Sequence, residues 1–121
     1  MKRAYTAGPM TGIEMYNWPL FRFVLDYLRE ECGIDVVSPI EIDEELGMVV
    51  AERDAFGAYE SVTTTDIFDY ETVLARDLEA VATCDSIILL PGWQYSTGAK
   101  RELAHALSLG LAVHIWEDLY V

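Results

Sequence analysis

A chain of 121 residues, 52% of them hydrophobic, is long enough for one compact domain and too short for two. Its formal net charge of -13, from 21 acidic and 8 basic residues, excludes general nucleic-acid binding, because the surface repels phosphate backbones. Two cysteines, Cys32 and Cys84, show neither metal-ligand spacing nor a disulfide framework, which favours a reducing compartment.

The amino-terminal residues predict a first strand followed by a sharp break. Arg3–Ala7 is typical of a strand, and it ends at the sequence Gly8-Pro9-Met10-Thr11-Gly12. The apolar run before Gly8 is too short for a signal peptide or a membrane span. We therefore expect a cytoplasmic protein with no membrane partner.

A helix and a second strand follow. Asn17 is an expected N-cap and Gly33 an expected residue just beyond the helix C-terminus. Between them, apolar residues recur at helical spacing: Leu20, Phe21, Val24, Leu25 and Leu28. Residues 34–37 predict a strand closed by Ser38-Pro39, which completes a strand–helix–strand unit.

Residues 40–70 contain many acidic side chains without a sustained period. We interpret them as a variable acidic excursion, partly helical, that serves as a lid, a partner contact or a flexible segment more than as core. An acidic stretch of this kind is most often only a solvated face.

Regular patterns return in the second half of the chain. Residues 70–83 predict a helix, and 86–90 form a short apolar run typical of a strand covered on both faces. Residues 98–109 predict the next helix and 111–115 the last clear strand. Residues 116–121 are interpreted as a short tail.

This alternation predicts an α/β fold for a single domain over residues 1–121. We expect a three-layer, flavodoxin- or Rossmann-like parallel sheet of four to five strands in the order 2-1-3-4. In such sheets ligands bind at the carboxyl ends of the strands, near the point where the strand order reverses. The loops at 8–12 and 92–98 should therefore face each other and form the site.

The start of the helix after residue 96 has residue types suited to a small-molecule site. Ser96, Thr97 and Gly98 offer hydroxyl caps and free backbone N–H groups, and Glu102 follows within about a turn. Helix N–H groups favour negative charge, so Glu102 should stay ionised. Taken alone, however, such serines and acids are ordinary caps and dipole partners.

Three blocks of sequence carry a family resemblance: Tyr5-Thr6-Ala7-Gly8-Pro9-Met10-Thr11-Gly12, then Asp77 with Cys84-Asp85, then Ser96-Thr97-Gly98-Ala99-Lys100-Arg101-Glu102. Their order and spacing resemble the nucleoside 2-deoxyribosyltransferase superfamily, which includes deoxynucleoside 5′-monophosphate N-glycosidases. Within it the chain is most similar to small, often phage-encoded members that share the Gly-Pro-Met-Thr-Gly and Leu-Pro-Gly-Trp sequences.

The resemblance implies roles for individual residues. Glu102 matches the nucleophile that attacks the anomeric carbon, Tyr5 matches a tyrosine beside it, and Asp77 matches an aspartate that contacts the nucleoside. Ser96 and Gly98 match residues that hold the 5′ end of the ligand. The other expected substrate contacts are Gly8, Pro9, Met10, Gly12, Asn17, Gly92 and Trp93.

The implied function is cleavage or transfer at the N-glycosidic bond of a deoxynucleoside or its 5′-monophosphate. Thr11 stands where the monophosphate-specific glycosidases usually have an arginine, which leaves the 5′-phosphate preference open. No metal or other cofactor is expected, since neither step of the reaction asks for one and no cluster with ligand spacing occurs in the sequence.

The resemblance also implies a homo-oligomer, a dimer or larger, located in the host cytoplasm if the protein is phage-encoded. Two aromatic pairs, Trp93 with Tyr95 and Trp116 with Tyr120, look exposed and are compatible with such an interface.

Two other classes of function stay open at this point. One is a module that binds a nucleotide or an ADP-ribose-like ligand without turnover. The other is an acidic phage interaction protein that uses its charge to occupy a basic partner surface. His105 and His114 are expected to be a helix-surface residue and a strand residue, not catalysts.

Overall fold

The structure, a computed structural model, describes residues 1–65 and 69–120. Asp66, in the acidic segment of the sequence, and Val121, at the end of the tail, lie outside the described residues.

Strands and helices alternate along the described chain, except that two strands, Val49–Arg53 and Tyr59–Thr64, follow one another directly. The strands are β1 (Arg3–Ala7), β2 (Asp35–Val37), β3 (Val49–Arg53), β4 (Tyr59–Thr64), β5 (Ser86–Leu89) and β6 (Ala112–Ile115). The α-helices are α1 (Trp18–Glu30), α2 (Pro39–Glu45), α3 (Tyr70–Val81), α4 (Thr97–Ser108) and α5 (Trp116–Leu119). Short 3-10 helices occupy Glu14–Asn17 and Trp93–Tyr95.

The central sheet has four strands in the order β2-β1-β5-β6, and every neighbouring pair is parallel. Counted within this sheet the order is 2-1-3-4, which confirms the predicted α/β architecture. The strand order reverses between β1 and β5, where Ala7 pairs with Leu89. The carboxyl ends of these two strands therefore open the crevice that holds the candidate site.

Two apolar cores cover the two faces of the sheet. On one face, residues of α1 pack with Ile88, Leu90 and Trp116. On the other face, α3 and α4 contribute Val81, Ala99 and Ala106. All four residues of β5 are buried, because β5 is a central strand with helices on both sides. This confirms the strand predicted from its continuous apolar run.

The first helix has the predicted apolar stripe. Phe21, Val24, Leu25 and Leu28 are buried within α1, so three- and four-residue spacing indicated the correct face. Gly33 follows the helix with φ of 64°, a left-handed conformation that glycine adopts without strain.

The expectation that residues 40–70 are partly helical is confirmed by α2, but the expectation that the segment does not contribute to the core is wrong. The segment begins with α2, in which Ile40 is fully buried, and continues as the antiparallel hairpin β3–β4, where Val49 is buried. Trp18 of α1 packs edge-on against Tyr59 of β4, with ring centroids 5.7 Å apart. The strands are short and polar on one face, so their sequence lacked a clear period.

The carboxyl-terminal tail also differs from expectation. Residues 116–119 form the short helix α5, and Trp116 is buried, stacked on Tyr120 and edge-on to Tyr27. Trp116 is therefore not part of an exposed aromatic pair. Its ring closes the core beside α1.

Candidate active site

Tyr5 and Glu102 meet in the interior. Tyr5 lies on β1 and is fully buried, and its hydroxyl donates to Glu102 Oε2 at 2.5 Å. Glu102 lies on α4 and is 6% exposed. Alternation along β1 turns Tyr5 toward the face that α4 covers, so a strand residue and a helix residue share one hydrogen bond.

Two more carboxyl groups line the same cavity. Asp77 comes from α3 and Asp43 from α2, and each is 8% exposed. The Oδ1 atoms of both have no hydrogen-bond partner within the described residues. Unpartnered buried carboxyl oxygens are costly, so each of these two carboxyl groups would be stabilised by a hydrogen bond from a ligand or from water.

The environment separates the pKa values of these acids. Burial raises the pKa of Glu102 to about 7, although the hydrogen bond from Tyr5 acts to lower it. Burial and then the charges of Glu102 and Asp43 raise the pKa of Asp77 to about 9. Burial also raises the pKa of Asp43 to about 6. Near pH 8, Asp77 therefore holds a proton while Glu102 and Asp43 are ionised.

Tyr5 keeps its proton throughout this range. Burial and the neighbouring charge of Glu102 raise the pKa of Tyr5 well above its usual range. The hydroxyl is thus a permanent donor to Glu102, and the neighbouring Asp77 also acts to lower the pKa of Glu102. Both neighbours favour the ionised carboxylate.

We expected the N-terminus of α4 to keep Glu102 ionised, but the helix N-terminus is not what favours the ionised form. α4 begins at Thr97, so Glu102 lies in the second turn, beyond the reach of the free N–H groups. Burial dominates and raises the pKa of Glu102. The ionised form depends on Tyr5 and Asp77, not on the helix dipole.

The cavity around these acids has a volume of about 300 Å³. Its described lining includes three acids and no lysine, arginine or histidine. The lining residues are Gly8, Met10, Thr11, Tyr16, Trp18, Pro39, Asp43, Met48, Val49, Thr64, Tyr70, Val73, Leu74, Asp77, Ser96, Gly98, Ala99 and Glu102. Such a lining suits an uncharged or cationic ligand with an apolar body.

The two glycine-containing loops come together as expected. A Cβ added at Gly92 would lie 3.2 Å from Pro9 Cγ, which shows how closely the loops approach. Ser96 caps α4 by accepting a hydrogen bond from the Ala99 N–H at 3.1 Å. A second hollow adjoins the cavity. This outer hollow is lined by Pro9, Met10, Thr11, Tyr70, Tyr95, Ser96, Thr97 and Gly98.

The expected substrate contacts divide into two groups. Gly8, Met10, Ser96 and Gly98 line the cavity beside Asp77 and Glu102, and Pro9 lines the outer hollow. The remaining four, namely Gly12, Asn17, Gly92 and Trp93, line neither.

Asn17 has a different structural task from the one expected. Its side chain makes no cap hydrogen bond to α1 and instead donates to the Pro9 carbonyl at 2.9 Å, holding the loop. Met15, Tyr16 and Asn17 all have positive φ, between 52° and 61°. Three consecutive residues in this costly conformation turn Tyr16 and Trp18 toward the cavity.

Sequence reasoning missed Asp43 and the aromatic and apolar walls. Asp43 was one of many acids in a segment without a period, and nothing distinguished it from solvated neighbours. A weak signal existed: Ser38-Pro39 closes β2 at the carboxyl edge of the sheet, so the helix that follows starts beside the site.

The sequence matches the model of one protein family. The family model for the domain of unknown function DUF4406 matches residues 2–115. The chain belongs to this family. Comparison of the DUF4406 chain with curated protein sequences gives no match.

Among solved structures, the DUF4406 fold is similar to that of a 2-desoxiribosyltransferase from Leishmania mexicana. The TM-score is 0.61 at 15% sequence identity, and the likeness covers 95% of this chain. The chain spans 63% of the length of that protein. The likeness confirms, at the level of the fold, the resemblance that the three sequence blocks indicated.

No group of three or more His, Cys, Asp or Glu side chains among the described residues could hold a metal ion. No helix within this part of the chain has the length and apolar character needed to cross a membrane.

Proposed function

We propose that this chain cleaves or transfers the N-glycosidic bond of a 2′-deoxynucleoside, with Glu102 as nucleophile and Asp77 as proton donor. The observation that supports this most directly is the buried hydrogen bond from Tyr5 to Glu102, in a cavity that also holds the buried carboxyl of Asp77, whose pKa is raised to about 9. Paired carboxyls with separated pKa values are the arrangement that acid-assisted glycosyl transfer uses.

In the first step, an Oε atom of Glu102 bonds to C1′ of the deoxyribose while the bond from C1′ to the base nitrogen breaks. The electron pair of that bond goes to the base, which receives the proton of Asp77. The products are a glycosyl ester on Glu102, a neutral free base and an ionised Asp77. Tyr5 holds the Glu102 carboxyl in place through its hydrogen bond.

In the second step, water or another base attacks C1′ and Glu102 leaves as the carboxylate. Asp77 accepts the proton that the attacking group loses, which restores the starting state. Two displacements at the same carbon retain the configuration at C1′. The buried setting of Glu102, at 6% exposure, limits the entry of competing water.

The charge of the cavity favours a nucleoside over its 5′-monophosphate. The described lining residues include three carboxyl groups and no basic side chain. The cap of α4 at Ser96 can still hold a neutral 5′-hydroxyl group near Gly98. A phosphate there would face the summed negative potential of the cavity.

A panel of 2′-deoxynucleosides and their 5′-monophosphates, with and without an acceptor base, tests the proposal. Free base released in water alone identifies a hydrolase, and base exchange identifies a transferase. Glu102→Gln should abolish turnover, whereas Glu79→Gln, which removes an exposed carboxylate on α3, should not. Mass spectrometry of quenched wild-type protein should detect deoxyribose on Glu102. Equal inactivity of wild type and Glu102→Gln across the panel would refute the proposal.

A further inference from the structure

Asp43 is a buried acid that the proposed reaction does not use. Its side chain lies on α2, lines the cavity and is 8% exposed, and its Oδ1 has no partner within the described residues. Burial raises its pKa to about 6, so the group is mostly ionised at pH 7. A ligand that donates a hydrogen bond would relieve this unpaired charge.

Asp77 lies close enough for the charge of Asp43 to raise its pKa. The Oδ1 of Asp77 is also unpartnered within the described residues, and this carboxyl keeps its proton at pH 7. The cavity therefore presents two neighbouring carboxyls of opposite character, one that donates and one that accepts. Aromatic and apolar side chains around them can hold a flat ring: Tyr16, Trp18, Met48, Val49, Val73 and Leu74.

The donor Asp77 and the acceptor Asp43 together match the edge that a 6-aminopurine presents at N7 and position 6. Adenine presents the N7 acceptor next to the N6 amino donor, whereas guanine presents two acceptors, N7 and O6. A proton from Asp77 to N7 assists departure of the base, and the 6-amino group then meets Asp43. A 6-oxo group would instead place oxygen lone pairs against the carboxylate, which is repulsive.

We propose that Asp43 sets the base specificity of the cavity, and that the site prefers 6-aminopurine over 6-oxopurine 2′-deoxynucleosides. The inference rests on the proposed function for the orientation of the base, with N7 toward Asp77. A hydrogen bond to a charged acceptor predicts a preference of about 10- to 100-fold.

The test compares deoxyadenosine with deoxyinosine, in which a 6-oxo group and an N1–H replace the 6-amino group and the unprotonated N1. Their affinities are measured by calorimetry on Glu102→Gln, which removes turnover, and their kcat/KM values on the protein with Glu102 intact. We expect deoxyadenosine to be favoured by about 10-fold or more in both measurements. Equal binding of the two, or binding of neither, would overturn the inference.

Asp43→Asn is the decisive variant, because its amide can turn to donate to a 6-oxo group. We expect the ratio of deoxyadenosine to deoxyinosine affinity to fall by about 10-fold or more, with Asp118→Asn, an exposed change on α5, leaving it unaltered. An unchanged ratio in a folded Asp43→Asn protein would contradict the proposed role.

If the Asp43→Asn variant does not fold, the role of Asp43 can be tested by changing the ligand. Purine 2′-deoxyriboside, which has only hydrogen at position 6, should bind Glu102→Gln about 10-fold more weakly than deoxyadenosine. Equal binding would again contradict the inference. Discrimination at position 6 without turnover would leave the inference standing and refute the proposed function, while turnover without discrimination would do the reverse.

Discussion

The Tyr5 hydroxyl donates to Glu102 Oε2 across a separation of 97 positions in the chain. Tyr5 is placed by the central strand β1, and Glu102 by the helix that follows β5, so the contact spans the point where the strand order reverses. Because both side chains are buried, each restricts the protonation of the other. The pH dependence of any reaction at this site should report this contact.

The activity of the wild-type protein should have a bell-shaped pH dependence. The pKa of Glu102 is raised to about 7 and the nucleophile must be ionised, so kcat/KM should rise through pH 7. The pKa of Asp77 is raised to about 9 and the acid must be protonated, so kcat/KM should fall through pH 9. Initial rates at subsaturating substrate from pH 5 to 10 measure this. A maximum near pH 5 would contradict the assignment.

Replacing Tyr5 by phenylalanine should weaken the reaction and move its acidic limb. The variant loses a hydrogen bond that lowers the pKa of Glu102, so the rise in kcat/KM should shift to a pH above 7. We expect a loss of about 10- to 100-fold at pH 7. Tyr95→Phe, at a tyrosine 87% exposed, is the matched control. An unshifted limb would show that Tyr5 does not act on Glu102.

Asp43→Asn should stabilise the protein at neutral pH. The folded-state pKa of Asp43 is about 6, whereas the unfolded carboxyl titrates near its ordinary value of 3.8. The unfolded state therefore releases its proton first, and stability falls as the pH rises from about 4 to about 6. We expect the variant to be more stable by about 1–3 kcal/mol at pH 7 and to lose this advantage toward pH 4.

Urea unfolding of wild type and Asp43→Asn at several pH values measures that difference. Asp118→Asn, at an exposed site, should show no comparable gain. A gap that is constant with pH would show that the effect does not arise from titration of Asp43.

Two glycines should respond to alanine in opposite ways. At Gly8 an added Cβ would lie 2.8 Å from Leu90 Cβ, so Gly8→Ala should shift β1 from β5 and cost about 1–3 kcal/mol. At Gly98 the nearest atom would be the Tyr70 hydroxyl at 3.6 Å, so Gly98→Ala should fold and gain up to about 1 kcal/mol in helix propensity.

Thermal unfolding and substrate kinetics separate these two effects. Gly98 lines the cavity, so its alanine variant should raise KM while keeping or raising the melting temperature. A Gly8→Ala protein as stable as wild type would show that β1 and β5 can separate slightly at no cost.

The parallel sheet could be predicted because its signals are local. Buried strands give continuous apolar runs, as in β5, and amphipathic helices give three- and four-residue spacing, as in α1. The hairpin β3–β4 could not be predicted, because its strands are half-exposed and its stability comes from contacts such as Tyr59 with Trp18. Packing between residues that are far apart in the sequence produces no periodic pattern in it.

The candidate site likewise has residues that the sequence indicated and residues that only the structure revealed. Sequence blocks singled out Tyr5, Asp77 and Glu102. The structure places Asp77 and Glu102 in the lining of one cavity and joins the Tyr5 hydroxyl to Glu102 by a hydrogen bond, because α3 and α4 pack together against β1. Asp43 was not predicted, because only its burial distinguishes it from the other acidic residues of its segment. The protonation of Glu102 also depended on the fold: burial raises its pKa, and only the three-dimensional contacts with Tyr5 and Asp77 oppose that rise.

The sequence by itself thus determined the order of the strands of the parallel sheet and of the helices α1, α3 and α4, together with the two loops that meet at the switch point. The tertiary structure decided which acids lose their water, and therefore which of them carries a proton near pH 7. The physical reason is that chain patterning reports local backbone preference, whereas desolvation depends on every neighbour that packs around a group.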